Sequence, residues 1–94
     1  MPFSFRLHPA AKKELEKFDL PIKRFILTSL REFIDHYDPI YERELMHRSK
    51  IKKLKGEWEG YYRLRLRNYR VIYEKIDEEL VIHIVRVAHR KEVY

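Results

Sequence analysis

The sequence predicts an α+β domain in which an N-terminal strand and a helical hairpin pack on one face of a mainly antiparallel sheet of four to five strands, with residues 1–94 as a single domain. Two observations carry this. The apolar residues recur at steps of three and four between about residues 9 and 37, then switch to strict alternation beyond residue 50. Turn residues at Gly56, Asn68 and Asp77-Glu78-Glu79 punctuate the second half at the spacing expected of hairpin-linked strands. Helices followed by a run of strands suit a layer of helices on one side of a sheet.

Phe3-Ser4-Phe5-Arg6-Leu7 alternates apolar and polar, as a short half-buried strand does. Pro9 opens a first helix with Ala11, Leu15 and Phe18 on one stripe. Asp19 is the expected N-cap of a second helix, with Pro21 in its first turn. Ile22, Phe25, Ile26, Ser29, Leu30, Phe33, Ile34 and Tyr37 give that helix one continuous apolar face, and Pro39 reads as its stop. Residues 38–50 are polar and weakly patterned, a loop with a helical turn. Ile51–Leu54, Tyr61–Leu66, Tyr69–Ile76 and Leu80–Val87 are the candidate strands, the last the most apolar and the best candidate for a central one. Asn68 is the residue expected to take left-handed geometry in the Arg67-Asn68 turn.

Cysteine is absent, which excludes disulfides, a thiolate nucleophile and cysteine-ligated zinc. The five histidines have no zinc-type spacing, so neither metal nor cofactor is expected. The N-terminus, MPFSFRLHP, lacks an apolar h-region, and no stretch approaches the length needed to span a bilayer. A cytoplasmic protein without membrane contact is the expectation. The net charge of +6 is unevenly spread: residues 1–42 are neutral, residues 43–70 carry ten Lys/Arg against three Asp/Glu, and residues 71–94 are slightly acidic. A concentrated basic patch is the footprint of a polyanionic partner.

Alternation places Arg63, Arg65 and Arg67 on one face of their strand and Leu64 and Leu66 on the other, toward the helices. Arg70 joins the arginines by parity, as Arg86 and Arg90 do from the last strand. Tyr61 shares their face and is a candidate to stack on a base. Like charges opposite one another destabilise strand pairing, so a face this rich in arginine is easier to understand when an anion offsets it.

The run KLKGEWEGYYRLRLRNYRVIYEKIDEELVIHIVRVAHRKEVY resembles the C-terminal half of RelE-type toxins in the RelE/ParE superfamily. The matching pieces are Lys53–Gly56 (KLKG), Tyr62–Arg65 (YRLR), Tyr69–Glu74 (YRVIYE), the acidic turn Asp77–Glu79, and Val81–Tyr94 ending in HR-x-x-VY. The N-terminal half agrees in layout only. The resemblance implies the toxin of a toxin–antitoxin system, and for the RelE branch a metal-independent endoribonuclease that cuts mRNA in the 30S A site of the ribosome. It further implies that Arg63, Arg65 and Arg70 bind the scissile phosphate, that Arg90 supports the leaving group, and that Tyr94 accepts the 2′-OH proton. His89 is the substitute for Tyr94, because imidazole titrates near neutrality. Lys53, Lys55, Arg67, Arg86 and Tyr61 complete the expected RNA contacts. The expected partners are a cognate antitoxin, mRNA and the ribosome. Two other readings stand beside this one: a ParE-type inhibitor of DNA gyrase, and a non-catalytic nucleic-acid- or ribosome-binding relative.

Overall fold

A computed structural model describes residues 3–91. Strand β1 (Ser4–Leu7) leads into helix α1 (Pro9–Glu16), where the His8 Nδ1 accepts from the Ala10 N–H and caps the first turn. Helix α2 (Leu20–Asp35) follows directly. Asp19 stands at its N-cap as expected, but its side chain makes no capping hydrogen bond. Ile26, Leu30, Phe33 and Ile34 are the buried residues of α2, matching the apolar stripe read from the sequence.

Residues 38–50 depart from the loop expected of them. Pro39 does not simply end α2; it is the first residue of a third helix, α3 (Pro39–His47). Asp38 caps it, accepting from the Tyr41 N–H at 2.8 Å. Asp-Pro is a natural helix start, since proline's missing N–H falls where no intrahelical partner exists. The helix escaped notice because one of its two buried residues is Glu42, which breaks the apolar pattern.

Strands β2 (Ile51–Lys53), β3 (Tyr62–Leu66), β4 (Tyr69–Ile76) and β5 (Val81–His89) complete a five-stranded sheet of order β1-β5-β4-β3-β2. Only β1 and β5 pair in parallel; the other neighbours are antiparallel. The most apolar strand, β5, is interior, with β4 in the middle. Between Ile72 and Tyr73 the β4–β5 register shifts: Tyr73 faces Ile84 and Ile72 faces Arg86, leaving Val85 as an extra residue. In the β3–β4 turn the left-handed residue is Arg67 (φ +54°) and not Asn68. Arg67 is the first of the two turn residues, the position that takes positive φ in a II′ hairpin.

Ile51, Leu64, Val71, Tyr73, Ile82, Ile84 and Val87 point to one side of the sheet and form the core with Ala11, Leu15, Ile26, Leu30, Phe33 and Leu45 of the helices. Within this layer Glu42 is only 5% exposed. It accepts from the Tyr73 hydroxyl at 2.8 Å and from the Lys75 Nζ at 2.9 Å, which ties α3 to β4. Lys75 also lies over the Tyr62 ring, itself stacked on Tyr73. Burial and the Glu42 charge push the Tyr73 and Tyr37 hydroxyls well above their ordinary range. Burial alone would lower Lys75, yet its hydrogen bond to Glu42 and the charge of Glu42 outweigh this and raise it. Among the described residues no helix is long and apolar enough to cross a membrane.

Candidate nucleic-acid interface

The register that sends Leu64, Val71 and Val87 into the core sends their neighbours to the opposite face. Two rows of cross-strand partners result. One runs Lys52, Arg63, Ile72, Arg86 across β2, β3, β4 and β5; the next runs Arg65, Arg70, Ala88. Four arginines and a lysine thus surround Ile72 and Ala88, which are buried although the helices pack on the other side. Long cationic side chains can cover such residues with their aliphatic stems while their heads stay polar.

Each cation is held differently. Arg63 is half-buried and donates from Nη2 to the Ser49 carbonyl at 3.0 Å. Arg65 is exposed and directly opposite Arg70. Arg70 is half-buried, and its buried Nη1 has no hydrogen-bond partner among the described residues. A buried donor without an acceptor is costly unless a ligand supplies one. Neither Arg65 nor Arg70 has an ion pair with an acid among the described residues. Arg86 is gripped by Glu14 of α1: its Nε lies 2.9 and 3.1 Å from the two carboxylate oxygens, and its Nη2 lies 2.8 Å from one of them. The same carboxylate accepts the Val87 N–H at 2.9 Å, on the edge of β5 beyond the end of β1. Glu14 therefore caps an open sheet edge and orients an arginine at once.

The face continues toward β1 with mixed charge. Glu74 and His83 pair at 2.9 Å, and Arg6 pairs with Glu79 at 3.0 Å. Among the described residues, Lys52, Arg65 and Arg70 at the β2–β3–β4 end have no ion pair with an acid.

Not every residue singled out from the sequence arrives on this face. Arg67 does not: as the turn residue it folds to the helix side, its guanidinium 4.5 Å from the Phe25 ring centroid. Lys53 pairs with Tyr62, whose ring lies in the helix layer, so its parity is that of the helix side; Lys52 takes the place on the arginine face. Lys55 is exposed where the β2–β3 loop begins. His89 pairs with Tyr69 and meets its ring edge-on at 5.4 Å, while Ala88 occupies the arginine row. Its Nδ1 accepts from the Lys91 N–H. Arg90 follows β5, exposed, its N–H bonded to the Asn68 carbonyl, which continues the ladder by one pair. Tyr61 precedes β3 and packs edge-on against Trp58. Tyr94 lies outside the described residues.

Lys52 and Glu14 were missed by sequence reasoning. Lys52 was legible, because Ile51 belongs with Leu64 in the core and the next residue must point away. Glu14 carried no signal, since its role depends on the edge left where β1 ends.

Over residues 5–94 the chain matches the family described as the ParE toxin of the type II toxin–antitoxin system, parDE. Among solved structures it is similar to the archaeal RelE–RelB complex from Pyrococcus horikoshii OT3, at 27% identity and a TM-score of 0.69, covering 99% of this chain and 100% of that one. It is also similar to the RelBE2 toxin–antitoxin complex from Mycobacterium tuberculosis, at 27% identity and a TM-score of 0.67, covering 96% and 100%. The isolated E. coli RelE toxin shares the fold, at 24% identity and a TM-score of 0.68, covering 99% and 88%. No curated protein matches the chain.

Proposed function

The chain belongs to the ParE toxin family of type II toxin–antitoxin systems, within the RelE/ParE superfamily, and from that premise we propose that it is a metal-independent endoribonuclease that cuts mRNA in the ribosomal A site. The observation that supports this most is the direct opposition of Arg65 and Arg70, two arginines without an acidic partner among the described residues, one with a buried donor left for an acceptor to fill. An RNA phosphate supplies both the charge and the acceptor oxygens.

In the proposed reaction the 2′-oxygen bonds to phosphorus and the P–O5′ bond breaks, leaving a 2′,3′-cyclic phosphate and a 5′-hydroxyl. Charge builds on the non-bridging oxygens, and Arg63, Arg65 and Arg70 stabilise it as fixed clamps; arginine stays protonated and serves as neither base nor acid. Tyr94, acting as its phenolate, takes the 2′-OH proton, and the departing 5′-oxygen, its charge supported by Arg90, is protonated by water. His89, packed against Tyr69, is the weaker candidate for that proton. Lys52 and Arg86 extend the track for the RNA backbone. A cognate antitoxin is the proposed partner, since the similar structures from P. horikoshii and M. tuberculosis are toxin–antitoxin complexes. An acidic segment with an amphipathic helix would mask the basic face.

The family's ParE description favours a second reading, inhibition of DNA gyrase without nuclease chemistry. Mapping mRNA 5′-ends after induction separates the two. Codon-phased cuts that vanish in Arg65→Ala, Arg90→Ala and Tyr94→Phe variants support the nuclease. DNA damage with intact mRNA supports gyrase, and binding to ribosomes without either outcome supports a non-catalytic relative.

A further inference from the structure

We propose that Trp58 and Tyr61 form a base-stacking subsite that seats the nucleotide adjoining the phosphate held by Arg63. This rests on reading the arginine face as an RNA site.

The placement follows from the backbone. The Leu54 N–H donates to the Tyr61 carbonyl at 3.0 Å, which extends the β2–β3 ladder one pair beyond Lys53 and Tyr62. Alternation then puts Tyr61 on the face of Arg63 and Arg65. Successive members of that row lie about 7 Å apart along the strand, a step of the same order as one nucleotide in an extended chain. A strand running along Arg65 and Arg63 therefore brings its next base to Tyr61.

The aromatic pair stands outside the hydrophobic core cluster of the described residues. Adjacent Tyr62 stacks on Tyr73 and packs against the core, whereas Trp58 and Tyr61 are absent from that cluster and half-buried. Their rings meet at 88° with centroids 5.4 Å apart, making a corner of two aromatic planes. Gly60, at φ +91°, lets the chain turn so that the Tyr61 N–H bonds the Trp58 carbonyl at 3.0 Å. The corner is thereby held before any ligand arrives, and little ordering remains to oppose binding. Next to Tyr61 lies a hollow of about 330 Å³, lined also by Lys53, Lys55, Glu59, Gly60 and Tyr62.

Charge selects the occupant. Lys52 on β2 and Arg63 and Arg65 on β3 share the face that alternation gives Tyr61, Lys53 lies on the helix side with Tyr62, and Glu57 and Glu59 flank Trp58 in the loop. A backbone phosphate is drawn to the lysines and arginines and kept off the glutamates, which leaves a base facing the rings. Stacking of this kind tolerates any base and suits a single strand.

The test uses a short 2′-O-methyl RNA, which resists 2′-OH attack, carrying 2-aminopurine at one position at a time. Wild-type protein is expected to quench one position strongly. Tyr61→Leu and Trp58→Leu should remove that quenching and weaken binding roughly 10-fold, while Tyr61→Phe keeps both. Should the leucine variants fail to fold, photocrosslinking of thiouridine-labelled RNA to wild-type protein must yield the peptide containing Trp58 and Tyr61. Equal binding and quenching by wild type and Tyr61→Leu, both sensitive to Arg65→Ala, overturns the subsite and leaves the RNA site standing. Loss of antitoxin binding in Tyr61→Leu with unchanged RNA binding assigns the corner to protein and also overturns it. Failure of wild type to bind the RNA at all overturns the RNA site and the subsite together.

Discussion

Arg65 and Arg70 face each other across β3 and β4 as a directly opposed pair. Opposed like charges cost a sheet some stability, typically a few tenths of a kcal/mol. In Arg65→Ala and Arg70→Ala relief of this repulsion works against the lost cover over Ile72 and Ala88, so both should melt close to wild type, while mRNA cleavage falls on the order of 10²–10³-fold. Each substitution should also flatten the salt dependence of RNA binding by about 0.7 in log–log slope, the share of one phosphate on a single strand. Thermal melts beside cleavage assays check this; variants that lose activity only by unfolding would contradict it.

Glu14 is expected to matter through Arg86 and the β5 edge. Its carboxylate bonds the guanidinium and the Val87 N–H together, so Glu14→Ala leaves both without that acceptor. A cost of about 1–3 kcal/mol follows for such groups, readable as a lower urea midpoint. Glu14→Gln keeps an acceptor oxygen for the Val87 N–H and should recover part of the stability. RNA affinity should stay low in both, because neither restores the ionic grip on Arg86.

Arg67 provides the converse control. It sits on the helix side at φ +54°, over Phe25. Arg67→Gly removes a left-handed strain of roughly 1–2 kcal/mol and a cation–π contact of about 0.5–1 kcal/mol. Glycine also loses more chain entropy on folding, about 0.5–1 kcal/mol, so gain and losses nearly cancel; stability should change little and cleavage hardly at all. A loss of cleavage as deep as that of Arg65→Ala would place Arg67 back among the phosphate contacts.

What the sequence revealed depended on which signals are periodic. The stripe of α2 and the alternation of β3 were legible because each residue reports its face by position alone. Arg63, Arg65 and Arg70 reached one face for that reason. Arg67 did not, because a turn residue with positive φ leaves the alternation it follows in sequence. Helix α3 was hidden by Glu42, a carboxylate buried among partners from another strand. The register shift at Val85 was equally hidden, since a run of valines and isoleucines looks the same with or without one extra residue. Long-range partners, such as Glu14 for Arg86, leave no local pattern to read.

The Glu42 cluster predicts how stability responds to alkali. Tyr37, Tyr73 and Lys75 all hold their protons more tightly in the folded chain than at their ordinary values. Groups raised in this way contribute fully at pH below their unfolded values, near 10 for tyrosine and about 10.4 for lysine. Above that, the unfolded chain loses these protons first, so the fold weakens as pH rises through the alkaline range. Urea midpoints should be insensitive to this cluster near neutrality and fall above about pH 10. Glu42→Leu removes the acceptor of Tyr73 and the counter-ion of Lys75, which should cost about 2–3 kcal/mol at pH 7. It also leaves Lys75 with the burial that lowers its proton affinity and without the charge that raised it. Its contribution then shrinks, with only Tyr37 and Tyr62 left to raise that affinity against burial, and the alkaline decline of the variant should be shallower than that of wild type. An equally steep decline in both would show that Glu42 does not set the proton affinity of this cluster.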